Sequence, residues 1–415
     1  MSLLPLSQAL EQMLQELPTP NKIEQISLDQ AANRILAEDI FSPINVPHFD
    51  NSAMDGYAVN LQNFSINQPL TVIGKAFAGN PFTDEIGEGQ CVRIMTGAAI
   101  PKGTDAVVMQ EETSLNNDGS VCLARQPKHL ENIRQQGEDI QQGQLVLAKG
   151  SKLDVTTLPL LASLGIAQVN VSPRIKVAIL STGDELVSVG NPLKSGQIYD
   201  TNRFAVCLML EKLNCEITDY GILPDDPIQF ENAFLKAQQH AEVLITSGGV
   251  SVGEADFTKD VLEKRGQIGF WKIAMKPGKP FAFGQLNSED TDNKTWFFGL
   301  PGNPVSALVT FYQLVQPALM KLAGCSAEKI ANFSPNLTAY VATPLKKAVG
   351  RQDFQRGFYR VNPQGELEVK PIGNQGSHIF SAFNESNCFI VLEQERGNVA
   401  QGEKVTIQPF NFLLK

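Results

Sequence analysis

The chain has 415 residues, with 34 Lys and Arg against 44 Asp and Glu, a formal net charge of −10. That length suits about three domains, and the acid surplus excludes nucleic acid and anionic membrane as bulk ligands, because like charges repel. Hydrophobic residues make up 42% and Gly and Pro number 33 and 24, a composition that excludes collagen, a coiled coil and a disordered tail.

In chain order, Leu6, Leu10, Met13, Leu14 and Leu17 recur at helical spacing and predict a first helix. Ser27 and Gln30 form a capping box that predicts a second helix through Ala31, Ala32, Ile35 and Leu36. From Phe41 to about Gln144 the pattern turns to short strands between Gly, Pro and Asn turns: Leu70–Ile73, Cys91–Ile94 and Ala106–Met109. Thr157–Leu164 resumes a helix, with Gly165 as its C-cap. The expected arrangement is a helical segment, 1–40 and 145–172, split by an inserted β-rich domain, 41–144.

Strands and helices alternate across 173–325. Strands are expected at Ile175–Leu180, Glu216–Ile222, Glu242–Thr246, Phe270–Ala274, Pro280–Phe283 and Trp296–Gly299. Helices are expected at Thr201–Leu213, from Asp226-Pro227 onward, at Phe257–Lys264 and from Pro304 to Leu322. This is the signature of a doubly wound α/β domain with a mostly parallel sheet. From 326 to 415 the β texture returns, as a small C-terminal barrel or sandwich, and Asn287–Lys294 reads as an exposed hairpin loop.

The six cysteines form no C-x-x-C pair and read as free thiols in a reducing cytoplasm. Met1–Leu10 has neither a basic start nor a long apolar run, so no signal peptide is expected. Thr295–Met320 carries no charge, but Pro301-Gly-Asn-Pro304 interrupts it. A strand, a turn and a buried helix fit it better than a membrane span. The expected location is cytoplasmic.

In an open α/β sheet ligands bind beyond the carboxyl ends of the strands. Those positions here hold Ser181-Thr-Gly-Asp184-Glu185, then Pro224-Asp225-Asp226, then Ser247-Gly248-Gly249 with Glu254 and Asp256 close behind. Lys272, Lys276-Pro-Gly-Lys279 and Leu300-Pro301-Gly-Asn-Pro304 complete the set. Gly and Ser loops at helix N-termini offer backbone N–H groups to an anion, and Lys276 and Lys279 neutralise phosphate as point charges. Asp184, Glu185, Asp225 and Asp256 suit a hard cation such as Mg²⁺, which takes oxygen ligands. Together they point to a phosphorylated or nucleotidyl substrate handled with a metal. His48, His129, His240 and His378 are scattered, and G-x-S-x-G and Walker A motifs are absent. A zinc site, a serine hydrolase and a P-loop are therefore excluded. The inserted domain holds a second polar group: Phe49–Ala58, where Met and Ala look buried among Asp and Ser, Arg93–Ala98 and Arg134–Asp139.

Several of these motifs resemble one family. Asp50-Asn-Ser-Ala-Met-Asp-Gly-Tyr-Ala58, Met95-Thr-Gly97, Gly137-Glu-Asp139, Ser181-Thr-Gly-Asp-Glu-Leu186 and Tyr199-Asp-Thr-Asn202 are similar to the MoeA family of molybdopterin molybdenumtransferases, which includes the E domain of gephyrin. So are Thr246–Asp256, Lys276-Pro-Gly-Lys-Pro280, Gly299-Leu-Pro-Gly-Asn-Pro304 and Gly376-Ser-His378, so the resemblance covers essentially the whole chain.

The resemblance implies insertion of molybdate into adenylylated molybdopterin, with Mg²⁺-assisted hydrolysis of the adenylate and release of AMP and molybdenum cofactor. It implies a homodimer whose site lies between the MogA-like α/β domain of one subunit and the β insertion of the other. Partners would be a MogA-type adenylyltransferase and molybdoenzyme-maturation proteins, with no nucleic acid and no membrane. Carried over by motif, the catalytic residues are Asp55, Thr96, Asp139, Glu185, Asp225 and Asp256, with Glu185, Asp225 and Asp256 also as metal ligands. Substrate would be bound by Arg134, Asp184, Ser247, Gly248, Gly249, Lys272, Lys276, Lys279, Pro301, Pro304 and Ser377. The alternatives are the adenylyltransferase of the preceding step, which resembles the α/β domain alone, and a non-catalytic scaffold.

Overall fold

The computed structural model describes residues 3–62, 65, 66, 68–248, 264, 266–286 and 294–415. The chain divides into two compact units, one of 1–38, 149–155 and 168–415, the other of 39–148 and 156–167.

In the first unit, α1 (Leu6–Glu16) sinks its apolar stripe into the core, where Ala9 and Met13 are fully buried. The expected second helix is absent. Glu24–Ser27 pairs as a strand with Gln168–Val171, and only a single 3-10 turn, Leu28–Gln30, follows. The Ser27 side chain makes no capping bond. Asn33 turns left-handed at φ 64°, and the backbone N–H groups of Asn33 and Leu36 bond to Leu153 and Ser151. These partners lie more than a hundred residues away in sequence. Long-range backbone pairing thus replaces the i→i+4 ladder that local spacing predicted.

The central sheet holds β1 (Lys176–Thr182), β2 (Glu216–Leu223), β3 (Val243–Ser247), β4 (Gly266–Lys272), β5 (Pro280–Leu286) and β6 (Thr295–Leu300). Their order is β2-β1-β3-β6-β5-β4. The β2–β1, β1–β3 and β3–β6 pairs are parallel, while β5 is antiparallel to both β6 and β4. Five of the six strands therefore point the same way, and the loops after β1, β2, β3, β4 and β6 all leave from one edge. Helix α2 (Thr201–Lys212) follows β1 and α3 (Pro227–His240) follows β2. Alternate β1 residues serve opposite faces. Val177 and Ile179 pack with Val206, Met209 and Leu210 of α2, and Ala178 and Leu180 pack with Phe230, Phe234 and Ala237 of α3. Each buried Val, Leu, Ile, Met or Phe among them contributes about 1.5–3 kcal/mol. The chain steps from β1 to β2 on one side, then returns to β3 on the other. Strand order thus reverses between β1 and β3, where such sheets open a crevice.

Beyond β6 come α4 (Pro304–Thr310), a π-helical turn at Phe311–Val315 and α5 (Gln316–Leu322), buried along almost their whole length. This accounts for the uncharged stretch, and no helix among the described residues is long and apolar enough to cross a membrane. The C-terminal strands are β7 (Leu337–Val341), β8 (Gln352–Val361), β9 (Leu367–Pro371), β10 (Cys388–Leu392) and β11 (Lys404–Pro409). They pair in the order β8-β9-β7-β11-β10, and β10 returns to β8, closing a five-stranded barrel.

The second unit carries a four-stranded sheet in the order Thr71–Ala76, Gln90–Ile94, Gly56–Val59, Ala106–Met109. Ala58, Val92 and Val107 fill one face, and Val59, Cys91 and Val108 the other. Its helix, Thr157–Ser163, ends at Gly165, whose φ of 75° suits glycine. The expected helix at 257–264 and hairpin at 287–294 fall, apart from Lys264 and Lys294, outside the described residues.

Candidate active site

The rim of the central sheet is built by close backbone approach. Gly248, directly after β3, has φ 89°, and a Cβ there would lie 2.9 Å from the Thr182 carbonyl at the end of β1. Gly183 has φ 144°, and a Cβ there would meet the Glu185 carboxylate at 2.6 Å. Only glycine permits both approaches. The Gly248 N–H donates to Leu300 O at 3.2 Å, which ties the β3 loop to the β6 loop.

Three acidic residues converge beside this crevice. The Asp225 backbone N–H donates to Asp184 Oδ1 at 3.2 Å. Asp225 is solvent-exposed, yet its carboxyl is raised above the ordinary aspartate range by partial desolvation, then by the charges of Asp184 and Glu185. Solvent screens this repulsion without abolishing it. Neighbouring Asp226 is in the opposite condition. It caps α3, accepting from the Ile228 and Gln229 N–H groups at 2.8 and 3.1 Å, and those bonds lower its carboxyl. The structure thus separates the structural aspartate from the one left available. Asp256 and Gly249 lie outside the described residues. Among the described residues no three His, Cys, Asp or Glu side chains are spaced to hold a metal ion.

The lysines leave the same edge from β4. Lys272 ends the strand opposite Pro280, and the chain then adds Met275–Lys276 to the barrel, in parallel with Gln352–Asp353 of β8. Lys276 Nζ lies 3.4 Å from the buried Asp353 carboxylate, and Lys279 is exposed. Farther along β8, Arg356 is fully buried. Its Nη2 donates to Asn374 O at 2.7 Å and Gly376 O at 3.3 Å, while Nε and Nη1 have no hydrogen-bond partner. The adjoining Ser377 carbonyl accepts from Val305 N in the first turn of α4. Pro301 is buried, and Pro304 is the first residue of α4 after Asn303.

In the second unit Asp55 Oδ1 accepts from both the backbone N–H and the hydroxyl of Thr96, each at 2.8 Å, and these bonds lower its carboxyl. Asn51 and Ser52 are sandwiched between Gly97–Ala99 and Ile133–Arg134, so Asp55, Thr96 and Arg134 belong to one surface. The exposed Asp139 sits on the same loop system, its N–H on Val46 O. The burial expected here holds for Ala58 but is reversed between Met54 and its polar neighbours. Asn51 and Ser52 are buried and Met54 is 43% exposed, because the short polar side chains bond the turn's own carbonyls.

Two residues of the rim escaped the sequence reading. Asn202 closes the Tyr199–Asn202 motif, but its bonds to Ser247 and Gly302 link parts of the chain distant in sequence. Arg356 lies in a strand whose polar residues Asp353, Gln355 and Arg356 are buried without alternation, and that loss of period is its only signal. A cavity of about 430 Å³ lies elsewhere in this unit. It is lined by Ile35, Ile175, Cys215, Cys325 and Phe412 near the amino ends of β1 and β2, and no rim residue lines it.

The chain also matches known proteins along its length. Residues 4–165 match the MoeA N-terminal region (domain I and II), 178–321 a probable molybdopterin binding domain, and 338–410 the MoeA C-terminal region (domain IV). The chain is 61% identical over 412 residues to the molybdopterin molybdenumtransferase of Haemophilus influenzae, covering 99% of this chain and 100% of that one. It is 33% identical to gephyrin of Dictyostelium discoideum, covering 93% of this chain and 59% of that protein. The solved structure of the molybdopterin biosynthesis MoeA protein of Pyrococcus horikoshii superposes with a TM-score of 0.83 at 29% identity, covering 99% of this chain and 100% of that one. The chain belongs to the MoeA family, and it is an enzyme of molybdenum cofactor biosynthesis, a molybdopterin molybdenumtransferase.

Proposed function

We propose that the enzyme takes adenylylated molybdopterin and molybdate, hydrolyses the adenylate and inserts molybdenum at the dithiolene. The supporting observation is the meeting of three carboxylates, a Gly-Ser cradle and a lysine loop on one sheet edge. Water adds at the phosphoanhydride, and AMP and the molybdopterin phosphate separate. Molybdate then takes the two dithiolene sulfurs, and one oxide leaves as water with the two thiol protons.

Ser247, Gly248 and Gly249 cradle the terminal phosphate, and Asp184 with Pro301 and Pro304 shapes the wall around it. Lys272, Lys276 and Lys279 neutralise the anions as point charges. Arg356, with two unpartnered nitrogens beside the Ser377 loop, is suited to an oxyanion such as molybdate, because a buried guanidinium gains most from such a partner.

The donor chemistry fits Mg²⁺. A carboxyl pushed upward by two acidic neighbours gains from a cation placed among them, and all the donors are oxygens. Glu185, Asp225 and Asp256 would hold the ion. When bound it supplies neutralisation of charge developing on the leaving phosphate. Asp225 and Glu185 would also orient the attacking water. Asp55, Thr96, Arg134 and Asp139 would close the site from the inserted domain of a second subunit. A homodimer is supported by an apolar surface on and beside α2, with Ile198, Tyr199, Phe204 and Leu208 all exposed.

We retain four parts, 1–40 with 145–172, 41–144, 173–325 and 326–415, as the working division. The adenylate would come from a MogA-type adenylyltransferase and the product would pass to maturation proteins, in a cytoplasm that keeps the six free thiols reduced. An anaerobic single-turnover assay with adenylylated molybdopterin, molybdate and Mg²⁺ tests the reading. AMP and molybdenum cofactor should form together, and no AMP release would overturn it.

A further inference from the structure

Asn202, the second residue of α2, is only 7% exposed. Its Nδ2 donates to Ser247 Oγ at 2.9 Å and to Gly302 O at 2.7 Å. Both amide hydrogens are thus spent on the ends of two different strands, Ser247 closing β3 and Gly302 following β6. The amide's own Oδ1 is buried without a hydrogen-bond partner, and so is Ser181 Oγ, on the β1 residue in register with Ser247. A buried amide oxygen left empty costs about 1–3 kcal/mol. Because Nδ2 occupies a lone pair of Ser247 Oγ, the hydroxyl has to turn its own hydrogen away from Asn202.

We propose that Asn202 is a positioning residue for the phosphate end of the substrate. It makes Ser247 a hydrogen-bond donor toward the crevice and holds the β3 loop against the β6 loop. The phosphate then meets donors already aimed, without a reorganisation cost. The assignment rests on the reading of Ser247 and Gly248 as the phosphate cradle.

A double-mutant cycle tests it, with purified molybdopterin as probe and its fluorescence as readout under anaerobic conditions. Ser247→Ala should weaken binding about tenfold, as expected for one lost bond to a charged group. Asn202→Ala should cost about the same, and the double variant at most about twofold more, because both changes remove one arrangement. Asn202→Asp keeps the shape but sets a carboxylate against the Gly302 carbonyl. It should bind no better than Asn202→Ala, which separates donation from packing. Additive losses, or an Asn202→Asp variant that binds like wild type, would overturn the role of Asn202. Unchanged binding by Ser247→Ala would instead overturn the cradle reading on which it stands. Melting temperatures of all four proteins identify any variant that has lost its fold.

Discussion

Two aspartates, one in each unit, reach opposite states. Asp55 accepts two bonds from Thr96 and is held easily as an anion. Asp225 is partly desolvated, faces Asp184 and Glu185, and is held as an anion only against resistance. A satisfied carboxylate is a fixed acceptor that asks for nothing more. A frustrated one gains from a proton or a cation, and that is where charge chemistry belongs. On the proposed function, the inserted domain would offer a rigid wall and the sheet edge the reactive groups.

The largest effect expected from this contrast is on chemistry. Asp225→Asn should slow AMP release in single turnover by about 100-fold or more, within the range for loss of a positioned acid–base or electrostatic group. A rate above half of wild type would break the contrast. Next, Lys276→Ala should raise the molybdate concentration for half-maximal insertion about tenfold, the worth of one charge-assisted contact. An unchanged molybdate titration would remove Lys276 from the anion site.

The third test concerns where the wall comes from. Asp55→Ala and Asp225→Asn chains, each with little activity alone, are mixed so that half of the dimers are mixed. If the site is shared, each mixed dimer has one intact site of two, and activity should return to about a quarter of wild type. No recovery in verified mixed dimers would put both clusters to work within one chain.

Smaller effects read the two carboxyls directly. Folding raises the proton affinity of Asp225, so its ionised form costs stability above the folded-state range. The cost disappears once pH falls below the unfolded value of 3.8. Asp225→Asn should therefore melt about a degree or two higher than wild type near pH 7.5 without Mg²⁺. The gap should close at low pH or when Mg²⁺ is added, and a variant that melts lower at neutral pH would contradict the sign. Asp55 behaves in reverse. Its stabilisation is present above 3.8 and is lost as pH falls through its lowered value. In Thr96→Val the hydroxyl bond goes but the backbone bond stays, so Asp55 should titrate closer to 3.8 by NMR without reaching it.

Much of this was legible from local pattern. The α/β alternation, the Asp226-Pro227 helix start and the Gly165 helix end are written in spacing and capping chemistry, and they stand as expected. The capping box at Ser27 misled because it is a local signal, and Asn33 and Leu36 found partners at Leu153 and Ser151 instead. At Met54 hydrophobicity does not imply burial, because the turn buries its own Asn51 and Ser52 instead.

At the site, residue types and their order along the chain came from sequence alone: the acids, lysines and Gly-Ser loops at successive strand ends. Which aspartate caps a helix and which stays free depended on where the α3 N–H groups point in three dimensions. That Asn202 joins Ser247 to Gly302, and that Arg356 is buried with two nitrogens to spare, depended on strand order and barrel closure. Strand order and closure bring together segments as many as a hundred residues apart in the chain. Spacing rules reach only a few residues along a helix or strand, so contacts of that range are decided by tertiary packing.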